Sequence, residues 1–370
     1  MSFFLLSHVM FQKGVPIYGP VQVLERYLKE QRVSISTAYS PLFLEGKYIQ
    51  TGKVNKKFSK HFSNMIVKYF FDVQFAFLFL LKNKPKKNDV VIAVDPLNCV
   101  SAVILRVLFR FTLIYYTADY SDSRFPSEIM NQIYHWLDQF CLNNSDQNWC
   151  VSDRIVEKRK QQRTKTPVHF VPNTPILPDE VSKTQKESSK NKLLYVGSMD
   201  QHMNVLTVLD AVKKLSKTNK RIQLTLIGGG LLEHQIKEQI KKEKMEKIVE
   251  YFGPQKNSIV IEQIKKSGIG LALYSGGKLW NKYGDSMKIR EYQYFGLPVV
   301  TTEVPSNAKE VEKMDCGIVL TSKQLSAMVI CSAVTKIQKN FLDYSKNTHL
   351  LMQQRQKHKI LTDLLKPYLS

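Results

Sequence analysis

Short apolar runs alternate with amphipathic helical patterns along the first half of the chain. The apolar runs predict β-strands, and the three- and four-residue apolar spacing between them predicts helices. Strands are predicted at residues 3–9, 33–39, 90–96, 111–120 and 146–152. Helices are predicted at residues 19–30, 64–81, 98–109, 131–144 and from 153 onward. Because parallel strands need long crossover connections, this alternation predicts βαβ units in a doubly wound parallel sheet.

The same alternation starts again after a segment without apolar periodicity. Residues 173–190 are rich in Pro, Ser and Lys, and we interpret them as an exposed linker. Further strands are predicted at residues 193–197, 222–230, 248–253, 268–275 and 298–302. We therefore predict two α/β domains, at 1–172 and 191–335, followed by helices over 336–370. Two such sheets are expected to face a cleft lined by loops at the carboxyl ends of their strands.

The composition adds a strong positive charge to this picture. The 370 residues include 54 Lys and Arg against 32 Asp and Glu, which gives a net charge of +22. Such a charge favours an anionic partner: a nucleic acid, an acidic membrane surface or a phosphorylated ligand. Nucleic acid is the least expected of the three, because the sequence lacks a zinc knuckle, a ribonucleoprotein motif and Arg-Gly repeats.

Cysteine usage and hydropathy predict a cytoplasmic protein. The five cysteines are scattered without metal-ligand spacing, which favours buried free thiols in a reducing compartment. Residues 1–11 have no basic region before their apolar run, so they predict a first strand and not a signal peptide. The most apolar later segment, residues 69–82, is too short to span a bilayer. Any association with the inner membrane face is therefore expected to be peripheral.

Three predicted strands of the second half run into loops of small residues, with the sequences VGSMDQ, IGGGLL and YSGGKL. A strand that ends in glycine before a helix offers free backbone N–H groups to an anion. Each loop by itself is also explained by a tight turn. Three of them on one edge of a sheet favour a phosphate site.

A short helix is predicted from about Met287 to the C-capping Gly296. Lys288 and Glu291 are three residues apart and share a face of this helix. A lysine near a helix N-terminus opposes the helix dipole unless an anion is bound there, whereas a glutamate suits the dipole and can accept hydrogen bonds from a ribose. A solvated charge pair and a nucleotide-binding pair both remain open on this evidence.

The stretch from Lys288 to Val311, KIREYQYFGLPVVTTEVPSNAKEV, resembles the signature of GT-B glycosyltransferases, and specifically of the retaining family 4. The matching positions are Glu291, Gly296, Pro298, Val299, Val300 and Glu310. The resemblance covers most of residues 168–320, while the first half resembles the family only in its pattern. It implies a GT-B fold, with two Rossmann-like domains facing a central cleft and the last helix packed back on the N-terminal domain.

The resemblance also implies a donor site. Glu291 would bind the ribose of a nucleotide-sugar, Lys288 would meet the diphosphate, and Gly197 and Ser198 would donate backbone N–H groups to the phosphates. The other donor-side candidates are Gly228, Arg290 and Glu310. Two family positions differ: Tyr283 stands where a first glutamate is common, and Ser198 stands where an arginine is usual. The diphosphate would then depend on Lys288, Arg290 and Lys278.

The acceptor side is expected in the first domain, where the resemblance places it. Asp119 follows a strand and is the candidate catalytic residue, with helix capping as the alternative. Arg124 and Asp95 are further candidates at strand ends. Gly14 or Gly19 corresponds to the glycine-bearing first loop of the family, although a plain turn explains either one.

The implied activity is transfer of a hexose-type sugar from a nucleotide-sugar to a hydroxyl acceptor, with retention of configuration. No metal is expected, because the sequence has no Asp-x-Asp motif and lysines and N–H groups can stabilise a leaving diphosphate. Lysines flank the aromatic run between Lys53 and Lys87 and suggest an anionic membrane surface, hence a lipid-linked or cell-envelope glycan acceptor. An amphipathic core helix is the alternative interpretation of that run. The alternative functions are a non-catalytic GT-B subunit, a sugar-nucleotide 2-epimerase and a nucleic-acid-binding protein.

Overall fold

The computed structural model describes residues 1–12, 15–16, 19–175, 185–276, 282–355 and 359–369. The chain forms two compact units, Met1–Ile176 with His358–Ser370, and Leu177–Lys357. Each unit contains one large, mainly parallel sheet with helices on it. The predicted pair of Rossmann-like domains is therefore confirmed. Residues 176–184 of the predicted linker lie outside the described residues.

The first unit is built on an eight-stranded sheet. Its strands are β1 (Ser2–Val9), β4 (Ser34–Pro41), β5 (Glu45–Gln50), β6 (Lys56–His61), β7 (Val90–Val94), β8 (Thr112–Thr117), β9 (Gln147–Cys150) and β10 (Val168–Phe170). They are arranged in the order β10-β9-β8-β7-β1-β4-β5-β6. A separate two-stranded ribbon pairs β2 (Phe11–Gln12) with β3 (Val15–Pro16). The sequence direction reverses between β1 and β7, which makes their carboxyl ends the topological switch point of the sheet.

The antiparallel pair β5 and β6 was not predicted from the sequence. Most side chains of β6 are exposed, and the segment KKFSKH has no apolar alternation. The strand forms because its backbone pairs along its whole length with β5, which in turn pairs with β4. Backbone pairing of this kind leaves little trace in a hydrophobic pattern.

Three helices of the first unit pack side by side on the sheet. They are α2 (Met65–Asn83), α3 (Pro96–Phe109) and α4 (Glu128–Asn143), and α3 contacts both of the others. Their inner sides supply Phe79, Leu105 and Leu142 to a shared core with β7 and β8. The remaining helices are α1 (Pro20–Glu30), α5 (Asp153–Gln161) and the C-terminal helix Lys359–Leu369.

The C-terminal helix belongs to the first unit although it follows the second in sequence. It buries Leu361 and Leu365. Tyr27 of α1 donates its hydroxyl hydrogen to Thr362 Oγ1 at 3.1 Å, and Gln147 Nε2 of β9 donates to the Tyr368 hydroxyl at 3.0 Å. Among the described residues, no helix is both long enough and apolar enough to cross a membrane.

The second unit is a six-stranded parallel sheet. Its strands are β11 (Lys192–Val196), β12 (Gln223–Ile227), β13 (Val249–Gly253), β14 (Ile269–Ala272), β15 (Val299–Thr302) and β16 (Gly317–Leu320), in the order β13-β12-β11-β14-β15-β16. Its helices are α6 (Val205–Thr218), α7 (Glu233–Lys242), α8 (Asn257–Lys266), α9 (Met287–Tyr294), α10 (Ala308–Lys313), α11 (Ala327–Lys339) and α12 (Phe341–Arg355). Here the switch point lies between β11 and β14.

Candidate active site

Two glycine turns lie side by side at the carboxyl ends of β11 and β12. Gly197 has φ 146° and Gly228 has φ 136°, a conformation that favours glycine. A Cβ atom on Gly228 would lie 1.8 Å from the carbonyl oxygen of Gly197. A Cβ atom on Gly197 would lie 2.1 Å from Lys288 Nζ. The absence of side chains therefore lets the two turns and the lysine pack in direct contact.

The backbone N–H groups of these turns are only partly available to a ligand. Gly197 N–H donates to the Ile227 carbonyl at 2.9 Å, and Gly228 N–H donates to the Gly253 carbonyl at 2.9 Å. The prediction that Gly197 donates to a phosphate is therefore wrong, because its N–H group continues the pairing of β11 with β12. Ser198 N–H has no acceptor within the described part of the chain, so it can still donate to an anion.

Lys288 lies at the start of α9, beside the Gly197 turn. The helix begins after Ser286, whose hydroxyl accepts from the Ile289 N–H at 3.4 Å. The Lys288 ammonium lies 5.4 Å from the ring centre of Tyr274 and 5.8 Å from that of Tyr195, and the described residues provide no ion pair for it. Burial lowers the pKa of Lys288 to about 8, although the charges of Glu291 and Asp200 oppose this shift. A bound anion would offset the free-energy cost of burying the Lys288 charge.

Glu291 lies on the same helix and is also half-buried. Burial raises the pKa of Glu291 to about 7, and the nearby Lys288 opposes that shift only in part. The second unit thus holds an acid and a base with displaced pKa values at its switch point. Such pairs are typical of sites that bind or transform a ligand.

Arg290 and Glu310 do not join this pair. Arg290 is only 2% exposed, and its guanidinium donates to Asp285 at 2.6 Å and also to the carboxylate of Glu310. A buried guanidinium needs such partners, because an unpaired charge in the interior is strongly unfavourable. The prediction that Arg290 contacts the donor is therefore corrected: it ties the segment before α9 to α10. Lys278 lies outside the described residues.

The switch point of the first unit carries a histidine that the sequence interpretation missed. His8 lies near the end of β1, and its Nδ1 is 2.5 Å from Asp95 Oδ2 at the end of β7. Its Nε2 is 2.9 Å from Asp72 Oδ2 on α2. Asp72 also accepts from the buried Lys68 ammonium at 2.5 Å and from the Tyr48 hydroxyl at 2.6 Å. A polar residue at the carboxyl end of an apolar strand was the available signal.

This cluster keeps His8 charged at neutral pH. Burial by itself would lower the pKa of His8, but the charge of Asp95 and the hydrogen bonds to Asp72 and Asp95 raise it to about 9. Burial would likewise raise the pKa of Asp72, yet the hydrogen bond and charge of His8, together with Lys68, lower it. Both ring nitrogens of the imidazolium therefore donate to carboxylates.

Asp95 is held in a special backbone conformation at this switch point. Its φ is 65°, in the left-handed region that side-chain-bearing residues seldom adopt. Its carboxylate caps α3 by accepting from the Leu97 N–H at 3.0 Å and the Asn98 N–H at 3.4 Å. Strain of this kind clusters at functional sites because the surroundings must hold it in place. The structure thus brings the predicted residue Asp95 together with His8.

Asp119 lies beyond the end of β8 and is linked to this cluster through Arg124. Its carboxylate accepts from the Arg124 guanidinium at 2.5 Å, and its side chain is 55% exposed. Burial would lower the pKa of Arg124, but Tyr134, Asp119 and Asp95 raise it. The predicted residues Asp119, Arg124 and Asp95 therefore form one electrostatic group. Asp119 makes an ion pair and does not cap a helix.

The two glycines proposed for the first loop have different outcomes. Gly14 lies outside the described residues. Gly19 precedes α1 as its N-cap, and its N–H donates to Gln22 Oε1 at 2.7 Å. The plain-turn interpretation of Gly19 therefore accounts for its position.

Residues 178–351 match the family model of glycosyl transferases group 1. This segment, just under half of the 370 residues, belongs to that family. No curated protein matches its sequence. The predicted enzyme class is therefore confirmed at this level, while membership of family 4 stays a prediction.

Solved structures, glycosyltransferases among them, share the fold of this chain. HepE of Anabaena in complex with UDP aligns with a TM-score of 0.65 at 13% identity, covering 100% of this chain and 99% of HepE. The lipopolysaccharide outer core galactosyltransferase WaaB aligns with a TM-score of 0.62 at 16% identity, covering 94% of this chain and 98% of WaaB. The pneumococcal O-GlcNAc transferase GtfA, with UDP and GlcNAc bound, aligns with a TM-score of 0.62 at 15% identity. The match covers 87% of this chain but spans only 64% of GtfA. At these identities the likeness shows the GT-B fold.

Proposed function

We propose that this protein transfers a hexose-type sugar from a nucleotide-sugar to a hydroxyl acceptor, with retention and without a metal. The observation that carries the proposal is the half-buried Lys288 ammonium. It lies against the Gly197 turn at a sheet switch point, and the described residues give it no carboxylate partner. An anionic ligand explains such an arrangement better than a structural role does. UDP, bound in the HepE and GtfA structures, is the first nucleotide to test.

The donor-side chemistry follows from these groups. The bond between the anomeric carbon and the diphosphate oxygen breaks, and negative charge develops on the leaving diphosphate. Lys288 and the free N–H of Ser198 stabilise that charge. Glu291 accepts hydrogen bonds from the ribose hydroxyls. A new bond forms between the anomeric carbon and the acceptor oxygen, and the acceptor proton passes to the leaving phosphate oxygen on the same face.

The acceptor side belongs to the first unit in this proposal. Asp119, Arg124 and Asp95 hydrogen-bond the acceptor sugar, and the His8 imidazolium keeps Asp95 in place. Positive net charge and the likeness to a lipopolysaccharide galactosyltransferase support a lipid-linked or cell-envelope glycan as the acceptor. We place the enzyme in the cytoplasm, peripherally on the inner membrane face.

A donor screen with UDP-, GDP- and ADP-sugars, read by thermal shift and by sugar hydrolysis, tests the proposal. Lys288→Ala should weaken donor binding by about 1.5–3 kcal/mol, because a charge-assisted hydrogen bond to the diphosphate is lost. Lys313→Ala, an exposed lysine on α10, is the control and should bind like the parent. Equal affinity of the two variants would refute the donor site. Donor binding without hydrolysis or transfer would favour the non-catalytic subunit.

A further inference from the structure

The outer side of the α2–α3–α4 layer exposes many large apolar side chains. The side chains concerned are Phe70 and Leu78 on α2, Val107 and Leu108 on α3, and Ile133 and Trp136 on α4. Val107 is 79% exposed, Phe70 74% and Trp136 66%. We call this surface the outer helix face. Soluble proteins seldom expose contiguous apolar surface on this scale without a partner.

The outer helix face is carried by three neighbouring helices. The three helices lie next to one another, with α3 in contact with both neighbours. Their opposite sides are buried against the sheet. Trp136 stacks on Phe140, one turn further along α4, with ring centres 5.8 Å apart. The core of the first unit is made by other apolar residues, so the exposed apolar side chains of the outer helix face are available to a binding partner.

The exposed charge around this face is mostly positive. Asp72 and Asp138 are buried, so Glu128 is the only exposed carboxylate of the three helices, which the structure describes in full. Lysines and arginines are exposed or half-exposed at the carboxyl-terminal ends of α2 and α3. They are Lys82, Lys84, Lys86, Lys87, Arg106 and Arg110.

Two of these arginines line a pocket at the edge of the outer helix face. The pocket has a volume of about 360 Å³ and is lined by Val103, Arg106, Val107, Arg110 and Asn144. Arg106 donates to the Asn144 carbonyl at 2.9 Å and is paired with Asp146. Arg110 has no ion pair within the described residues. Its guanidinium is therefore available to an anion beside an exposed apolar side chain.

We propose that the outer helix face docks on an anionic lipid bilayer, with lipid phosphates at Arg110 and its neighbouring lysines. Apolar side chains, an amphipathic tryptophan and a basic rim are the combination that binds an interface. A second copy of the chain is a poorer occupant, because a symmetric contact would bring two basic rims together. The proposal does not depend on the donor site.

The aromatic run that suggested a membrane surface in the sequence contributes differently. Phe71 and Phe75 pack edge-on against Tyr48 at 5.2 and 5.1 Å, so they face inward. Lys56 and Lys57 lie on β6, the last strand of the sheet, and not on α2. The docking surface therefore keeps only the outward side of that run, with Phe70 and Leu78, and adds the outer sides of α3 and α4.

Vesicle sedimentation without donor or acceptor tests the proposal. The parent should bind vesicles of phosphatidylcholine with about one-third phosphatidylglycerol, and should bind pure phosphatidylcholine far less. The triple variant V107S/L108S/W136S should bind at least about tenfold less, since it removes the inserted apolar area. Its control is M328S/L342S, which replaces exposed apolar residues of the second unit and should bind like the parent.

A second pair of variants tests the charge. K86Q/K87Q/R110Q should weaken anionic binding by about tenfold or more, whereas K220Q/K241Q/K242Q removes the same charge from the second unit and should change little. Equal loss in both charge variants, equal binding to both vesicles, or no vesicle binding would overturn the proposal. Self-association abolished by V107S/L108S/W136S, without vesicle binding, would assign the face to a second copy. Donor thermal shifts should be unchanged in all four variants, which separates this proposal from the proposed function.

Discussion

Lys288 and Glu291 are two ionisable residues whose burial moves their pKa values towards each other. The Lys288 pKa falls to about 8 and the Glu291 pKa rises to about 7. A diphosphate needs the ammonium form of Lys288, and ribose hydroxyls need the carboxylate form of Glu291. In the proposed function, the state that binds a nucleotide-sugar is therefore confined to a narrow range of pH.

Donor affinity should consequently follow a bell-shaped pH profile. It should fall below about pH 7 as Glu291 is protonated and above about pH 8 as Lys288 loses its proton. Lys288→Arg should remove the alkaline limb, because a guanidinium stays charged throughout this range. Glu291→Gln should remove the acid limb. Calorimetric titration with UDP-sugar between pH 6 and 9.5 measures both, and an alkaline limb that survives in Lys288→Arg would assign it to another group.

A separate prediction concerns the stability of the first unit, because the pKa of His8 rises from 6.5 to about 9 on folding. A raised histidine pKa means that the folded state binds the proton more tightly. The resulting stability is fully present below about pH 6.5 and is lost as the pH rises through about 9. We expect the first unit of the parent to lose on the order of 2 kcal/mol across this range, and His8→Gln to lack that dependence.

Urea unfolding at pH 6 and pH 9 measures the effect. His61→Gln is the matched control, since the His61 side chain is 71% exposed and pairs with Glu45 at the surface. The interpretation of the cluster would be wrong if His8→Gln and His61→Gln showed the same pH dependence of the free energy of unfolding.

At the scale of elements, the proposed donor site depends on how closely β11, β12 and α9 approach one another. The Gly197 and Gly228 turns touch, and Lys288 reaches the first of them from the start of α9. The ion pairs of Arg290 with Asp285 and Glu310 hold α9 against α10 from the buried side. The ion pairs of Arg290 thus position α9, while the Lys288 ammonium is available to the proposed ligand.

Gly228→Ala should disrupt this contact. The new Cβ would meet the Gly197 carbonyl oxygen at 1.8 Å in an unfavourable backbone conformation, and we expect a loss of about 3–5 kcal/mol in stability together with weaker donor binding. Gly253→Ala is the control: it also has positive φ, but no atom lies within 4 Å of its Cβ position, so about 1–2 kcal/mol is expected. Thermal and urea unfolding distinguish them, and equal losses would contradict the packing argument.

At the scale of the whole molecule, both units place functional groups at the switch point of their sheet, but the groups differ in charge. Each sheet reverses direction once, and polar residues collect at that point. The first unit has carboxylates around an imidazolium, which suits hydroxyl groups of an acceptor. The second has a lysine and glycine turns, which suit phosphates. Exposed lysines and arginines also lie away from both switch points, including the rim of the outer helix face.

The sequence by itself determined the class of fold and the position of the helix that carries Lys288 and Glu291. Apolar periodicity predicted most of the strands and helices, because buried parallel strands are continuously apolar and their crossover helices are amphipathic. It also predicted Lys288, Glu291, Gly197 and Gly228 at strand and helix ends. Local spacing suffices there, since a turn and the helix that follows it are made by neighbouring residues.

Only the tertiary structure decided which of these groups are free. Arg290 and Lys288 are two residues apart, yet Arg290 is neutralised by Asp285 and Glu310, whereas the described part of the chain gives Lys288 no ion pair. His8, Asp72 and Asp95 come from separate elements, and only the sheet order brings them together. The outer helix face likewise depends on three helices lying side by side. Partners distant in sequence determine pairing, burial and pKa, and a local pattern contains no information about them.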